Sequence, residues 1–295
     1  MRILMVIGQF RPTIGGAERQ CELLAHALVA AGHAVCVLTV RPERGVPLRD
    51  VVAGVPVRRI AYPILRIGRH RVGFGFLASI LVWWHARRMM RDYDVVVAHQ
   101  ALWPAFVASL AARRHRKPIV VKLGNSGERF DLDVLEQTHW YGAFARRFLL
   151  RRVARFVATS AAVRSDLQRA GVPAEGIAEI PNGVIVPAVA LQRSSDATLR
   201  AVFVGTLTKK KNISALLEAM ARLDAHARAQ IMLALVGDGP ERAALEQQTA
   251  ALDVAARVTF HGTRADPSSV LTESDCFVLP SRTEGLYNAE LEAMA

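Results

Sequence analysis

The stretch SRTEGLYNAELEAMA, residues 281–295, sets Glu284 beside Gly285 and Leu286 and brings a second carboxylate, Glu292, eight positions later. An apolar run at 276–280 predicts a strand before it, and a helix is expected from about Asn288. In such a strand, loop and helix setting, the amides of Gly285 and Leu286 can donate to a diphosphate at the helix N-terminus. The two carboxylates can accept from sugar hydroxyls. Glutamates at this spacing recur by chance, so the setting gives the pair its chemical meaning. A second cluster lies in VFVGTLTKKKN, 202–212, where a strand turns at Gly205 into three lysines ending at Lys211. Cations at a strand-to-helix turn suit phosphate. A solvated charge run is the equal alternative, and the GxxxxGK[ST] phosphate loop is absent.

Three shorter motifs have weaker signals. GGAER, 15–19, puts Gly15 and Gly16 ahead of a helix, where amides can approach an anion or a strand can simply join a helix. VVVAHQ, 95–100, leaves His99 and Gln100 at the carboxyl end of a strand, the edge at which open α/β sheets hold ligands. A lone histidine is more often structural. LVGDGPER, 235–242, turns at Gly237 into a helix, and packing explains that glycine as well as binding does. No histidine pair has the short spacing of a zinc site, so no metal is expected. The glycine loop is not GxGxxG, and Arg41 stands where a ribose-binding acid would follow the second strand, which disfavours a dinucleotide cofactor.

These residues need an alternation of strands and helices to hold them, and the apolar pattern predicts one. Strands are expected at 3–8, 35–40, 95–98, 119–123 and 156–159, with helices at 17–31, 74–91, 102–114, 134–154 and 161–170. After a Pro, Asn, Gly and Ser-rich stretch at 181–197, the alternation restarts. Strands follow at 201–205, 231–236, 258–261 and 276–280, and helices at 213–223, 240–252, 267–272 and from 288. Consecutive βαβ units imply parallel sheets. At 295 residues the chain holds two domains, placed at 1–187 and 188–295.

Charge divides the same way. The first segment carries 27 Lys and Arg against 13 Asp and Glu (27 − 13 = +14), and the second 11 against 13 (11 − 13 = −2), which together give the net +12. A basic half attracts anionic lipid, polyanionic glycan or nucleic acid. Nucleic acid is disfavoured because the arginines are dispersed and no aromatic stacking motif is recognisable. The 13 uncharged residues from Val72 to Trp84 fall short of the roughly 20 needed to span a bilayer, yet arginines flank them on both sides, so a peripheral contact is the expectation. A core helix with arginines solvating its ends is the equal alternative. Three widely spaced cysteines and no signal-peptide pattern point to a reducing cytoplasm.

Taken in order, GGAER, AHQ, IPNGV, VGTLTKKKN, VGDGPER and SRTEGLYNAELEAMA resemble glycosyltransferase family 4 over nearly the whole chain. The resemblance implies a GT-B architecture, two Rossmann-like parallel-sheet domains facing a cleft, with an acceptor-binding first domain and a nucleotide-sugar-binding second one. It implies a retaining hexosyltransferase-type enzyme that moves a sugar from a nucleoside diphosphate sugar, its co-substrate, to a glycan or lipid-linked acceptor in cell-surface polysaccharide or lipopolysaccharide synthesis. On this resemblance Gly15 and Gly16 face the donor diphosphate and the acceptor, and His99 contacts the transferred sugar. Gly205 opens the GRLxxxK pattern whose lysine is Lys211, the diphosphate cation. Gly237 joins the nucleotide site, Glu284 stands near the sugar, Gly285 and Leu286 offer amides, and Glu292 holds the ribose. Two departures stand out: Thr206 replaces the pattern's arginine, and Tyr287 stands where the family often has glycine or proline. Family members also continue after EAMA, so the second domain is expected to be incomplete. The alternative is a non-catalytic or decayed subunit.

Overall fold

The computed structural model describes residues 1–13, 15–61, 64–67, 70–73, 75–186, 198–264, 266–281 and 287–295. Two compact units divide it, Met1–Gly183 and Val184–Ala295, four residues ahead of the boundary expected from the Pro and Ser-rich stretch.

The first unit runs β1 (Arg2–Val6), α1 (Gly16–Ala30), β2 (Ala34–Val40), β3 (Arg49–Val52), β4 (Val55–Ile60), β5 (Ile64–Ile67), β6 (His70–Gly73), α2 (Gly75–Met89), β7 (Val95–His99), α3 (Trp103–Arg114), β8 (Ile119–Leu123), α4 (Asp131–Thr138), α5 (Gly142–Arg152), β9 (Arg155–Ala158), α6 (Ala161–Arg169) and β10 (Ile177–Glu179). Eight strands form one sheet in the order β10-β9-β8-β7-β1-β2-β4-β3, parallel except for β3, and β5 pairs with β6 as a separate hairpin. β1 and β2 are near-continuous apolar runs because helices cover both faces of a parallel sheet. Ile3, Met5 and Ile7 pack with Cys21 and Ala25 of α1, whereas Leu4 and Val6 join the larger core that includes α2, α3 and α5.

The helix expected over 134–154 is two helices. α4 stops at Thr138, and Gly142 then starts α5 so close to α4 that a Cβ on it would lie 2.3 Å from the Glu136 carbonyl oxygen. Only glycine permits that approach.

The second unit runs β11 (Leu199–Val204), α7 (Ile213–Arg222), α8 (Ala225–Ala229), β12 (Ile231–Val236), α9 (Arg242–Ala251), β13 (Val258–Gly262), α10 (Ser268–Thr272), β14 (Cys276–Phe277) and α11 (Asn288–Met294). Its four strands are all parallel, in the order β13-β12-β11-β14. Phe203, Leu233 and Leu235 face α7 and α9 in one core, and Val202, Val236 and Val270 form a smaller one on the other face. The strand expected over 276–280 is regular only at Cys276–Phe277, although the Val278 amide still donates to the Val202 carbonyl at 2.8 Å. Among the described residues no helix is long and apolar enough to cross a membrane.

Candidate active site

Each sheet reverses its winding at its first strand. β1 lies between β2 and β7, and β11 lies between β12 and β14. At such a switch point the following loops diverge and leave a crevice outside the carboxyl ends of the strands. Among the described candidates, Gly15 and Gly16 follow β1 and His99 ends β7 at the first of these places, and Gly205 and Lys211 follow β11 and Gly237 follows β12 at the second.

In the first unit, His99 ends β7 and is only 3% exposed. It sits in register with Lys122 of β8, so both project from the same face of the sheet, and the Gln100 amide donates to the Lys122 carbonyl at 2.8 Å. Burial, then the Lys122 charge, lowers the His99 pKa to about 3. The imidazole is therefore neutral at physiological pH, and its Nε2 has no hydrogen-bond partner among the described residues. A buried polar atom left in this state is costly unless something else completes it. Burial likewise lowers the Lys122 pKa, offset in part by Cys21 on α1.

Asp131, at the start of α4 and 1% exposed, ties the loops after β7 and β8 together. It accepts from the Ala101 amide at 3.2 Å and from Asn125 Nδ2 at 2.8 Å. Burial raises its pKa to about 6 against the pull of these donors. The loop before α1 is anchored from two sides. Arg59, whose side chain is 1% exposed, donates to the Arg11 carbonyl at 2.7 Å and to Asp50 Oδ2 at 2.9 Å, while Arg11 pairs with Glu22 of α1 at 2.9 Å.

Gly15 is the residue preceding α1, and Glu18 folds back onto it, so that a Cβ at Gly15 would meet Glu18 Oε2 at 2.3 Å. Burial raises the Glu18 pKa. At Gly15 and Gly16, where either an anion-binding turn or a plain strand-to-helix connection was expected, the Glu18 carboxylate lies against Gly15. The IPNGV turn meets α1 as well, with Gln20 Nε2 donating to the Gly183 carbonyl at 2.9 Å.

In the second unit, Lys209–Lys211 form a 3-10 turn, and Asn212, left-handed at φ 55°, starts α7. Asn212 Nδ2 donates to the Pro280 carbonyl at 3.3 Å and so joins the loop after β11 to the loop after β14. Lys211 is 8% exposed, with its Nζ 3.5 Å from the centroid of the Tyr287 ring. The Tyr287 hydroxyl in turn donates to the Val204 carbonyl at the end of β11, at 2.7 Å. The tyrosine is therefore the seat of the lysine, a role that its sequence position did not reveal. Thr206 is exposed.

The glycines here serve close approach. A Cβ on Gly237 would lie 1.9 Å from the Gly205 carbonyl oxygen, one on Gly239 2.3 Å from that of Leu207, and one on Gly205 1.9 Å from the Tyr287 hydroxyl. Backbone bonds from Leu207 to Asp238 and from Glu241 to Leu207 lock the two turns together. Glu292 lies half-buried in α11. Glu284, Gly285 and Leu286 lie outside the described residues.

Sequence reasoning did not single out Glu18, Lys122, Asp131 or Asn125. Glu18 alone left a signal, three residues beyond Gly15 in a helix's first turn. The other three matter through burial and partners that only the assembled sheet creates.

Residues 15–183 match the family model described as a glycosyl transferase 4-like domain, and residues 198–295 match glycosyl transferases group 1. The lipopolysaccharide core biosynthesis glycosyltransferase LpsD of Rhizobium meliloti (strain 1021) is 27% identical over 288 residues, covering 95% of this chain and 72% of the relative. The 2-deoxystreptamine N-acetyl-D-glucosaminyltransferase of Streptomyces fradiae is 27% identical over 311 residues, with the same coverage. Among solved structures, Anabaena Alr3699/HepE in complex with UDP-glucose superposes with a TM-score of 0.72 at 23% identity, covering 100% of this chain and 78% of that one. WaaG, a glycosyltransferase involved in lipopolysaccharide biosynthesis, gives 0.70 at 18% identity over 99% and 78%. The likeness to these structures establishes the GT-B fold, two Rossmann-like parallel-sheet units. The family match reaches further, because it spans more than half of the sequence and includes Gly15, Gly16 and His99: this protein belongs to the glycosyl transferase 4-like family and is a glycosyltransferase.

Proposed function

We propose that the protein transfers a sugar, with retention, from a nucleoside diphosphate sugar to a glycan or lipid-linked acceptor in lipopolysaccharide or polysaccharide synthesis, at the inner face of the cell membrane. The observation that carries this reading is Lys211, a buried cation held on the Tyr287 ring at the second switch point. Bond breaking at the anomeric carbon leaves its electron pair on the diphosphate, and a fixed cation stabilises that charge without reorganising. The acceptor oxygen forms the new bond on the face that the diphosphate leaves, and its proton passes to the departing phosphate oxygen. No protein nucleophile is assigned. His99, neutral and with Nε2 unmatched, serves as a hydrogen-bond partner for a sugar hydroxyl and not as a cation. Glu18 beside Gly15 is placed to accept from a hydroxyl, which suits an acceptor better than a phosphate. Glu284, Gly285, Leu286 and Glu292 take the roles the family resemblance gives them, around the sugar, the phosphates and the ribose, and Gly205 and Gly237 shape the nucleotide site.

The exposed Thr206, standing where the family pattern has arginine, favours a second reading, a subunit that binds donor without turning it over. Turnover and binding of UDP-, GDP- and ADP-sugars by the full chain and by Glu284→Gln separate the two. Turnover of one donor, reduced in the variant, is the expected result. Donor binding without any turnover establishes the second reading, and neither activity in folded protein removes both.

A further inference from the structure

Helices α2, α3 and α5 adjoin one another on one face of the first sheet and contain no aspartate or glutamate, while they carry eight arginines: Arg87 and Arg88, Arg113 and Arg114, and Arg146, Arg147, Arg151 and Arg152. Arg146 is neutralised by Asp133 and Glu136 of α4. Among the described residues no ion pair engages the other seven. Arginines near helix C-termini complement the helix dipole, which accounts for several of these positions. That account also predicts acids in the first turns of the same helices, and those turns have none.

Nor does it explain the apolar side chains on the same helices and the turn before α5. Trp140 is 85% exposed, Phe144 61%, Ile80 44% and Trp84 40%. They are not stray tips of the core. Phe144 meets Phe106 of α3 edge-on, Trp140 meets Tyr141 edge-on, and Tyr141 reaches Ser79 of α2, so the exposed rings stand on one continuous aromatic base. At the far end of α2, the Arg88 guanidinium lies 3.3 Å from the Trp84 ring centroid, and a recess of about 400 Å³ is walled by Trp84, Arg87, Arg88, Arg91 and His115.

Aromatic rings standing proud of a surface, interspersed with cations on helices that themselves carry no carboxylate, are what a helix face presents when it lies in the headgroup layer of an anionic bilayer. We propose that this α2–α3–α5 face docks the protein onto an anionic lipid surface. Trp84, Trp140 and Phe144 enter the headgroup region, and the unpaired arginines meet lipid phosphates. The proposal names the partner surface for the membrane location given above, and rests on that reading only for why a bilayer should be near. Polynucleotide is the weaker fit, because Phe144 and Ile80 supply apolar surface that a phosphate backbone does not reward.

The test uses the full chain with vesicles of phosphatidylcholine, with and without phosphatidylglycerol, read by flotation. Binding to phosphatidylglycerol vesicles, weakened by salt, is expected. Arg87→Gln together with Arg91→Gln should lower the partition coefficient about 25-fold, from a factor of about five for each arginine lost near such a surface. Trp140→Ser with Phe144→Ser should lower it as well, while Arg222→Gln in the second unit leaves it unchanged. Both changes lie on exposed side chains, and the far-ultraviolet spectrum of each variant reports whether it still folds. Wild-type-level flotation of both double variants, or tighter binding to a single-stranded oligonucleotide than to vesicles, overturns the proposal. Donor hydrolysis without acceptor, assayed on the same variants, is expected to stay intact. Its loss in wild type would count against sugar transfer and leave the docking result standing.

Discussion

The two switch points solve the same geometric problem with opposite materials. In the first unit, strand ends are held by buried polar side chains: Asp131 bridges two loops, Arg59 and Arg11 fix a third, and His99 is kept neutral. In the second, the turns are held by backbone against backbone at Gly205, Gly237 and Gly239, and a positive charge is set above them on an aromatic ring. The lesson concerns what each crevice can recognise. A neutral imidazole with an open nitrogen suits hydroxyl geometry, and a buried cation beside glycine turns suits charge. The formal charges run the other way, +14 in the first segment and −2 in the second, so net charge does not indicate which strand ends hold the buried Lys211. The excess in the first unit lies on its helices, not at its strand ends.

The largest expected effect tests that division directly. Lys211→Ala should lower turnover by about 10²–10³, the usual loss when one preorganised group stabilising transition-state charge is removed. His99→Gln should cost about tenfold, the scale of one neutral hydrogen bond. Steady-state rates on the same donor decide it, and a larger loss at His99 than at Lys211 breaks the comparison.

Next in size is the contrast between glycines. Gly237 has φ 138° and would bring a Cβ to 1.9 Å from backbone, so Gly237→Ala should destabilise by about 1–3 kcal/mol. At Gly8, just after β1, the nearest atom to a Cβ is Pro104 Cγ at 3.5 Å, an ordinary contact, and Gly8→Ala should stay within about 0.5 kcal/mol. Urea unfolding midpoints compare the two. Equal losses would mean that both crevices depend on bare backbone.

How much of this could be read from the chain follows from the range of each interaction. β12 (Ile231–Val236) falls on the expected residues because a continuous apolar run between turns is a local signal. β3 and β4 escaped because Arg49, Arg58 and Arg59 interrupt their pattern, and in the structure Arg59 is buried against carbonyls and Asp50, 1% exposed at its side chain. The break at 139–141 was invisible because it depends on how near α5 comes to α4. Sequence order and family pattern singled out Lys211, but its seat lies 76 positions away at Tyr287, and no spacing rule joins them (287 − 211 = 76). Asp131 looks like any first-turn acid until the fold buries it.

The smallest effect concerns two groups of the first crevice whose titrations oppose each other. His99 has a pKa of about 3 in the folded chain against 6.5 ordinarily, so between these values the unfolded chain binds the extra proton and stability is lost as pH falls. Asp131 stands at about 6 against 3.8, so the folded chain holds the extra proton and stability is lost as pH rises through that range. Between pH about 4 and 6 the two slopes, each at most about 1.4 kcal/mol per pH unit, cancel. Asp131→Asn removes one of them, and its stability should climb with pH across this window, whereas that of His99→Gln should fall. The double variant should be as flat as the wild type. Urea unfolding of the four proteins at pH about 4.5 and about 5.5 measures the slopes. A flat His99→Gln profile would mean that the Asp131 carboxylate is ionised throughout this window and that burial does not hold its proton in the first crevice.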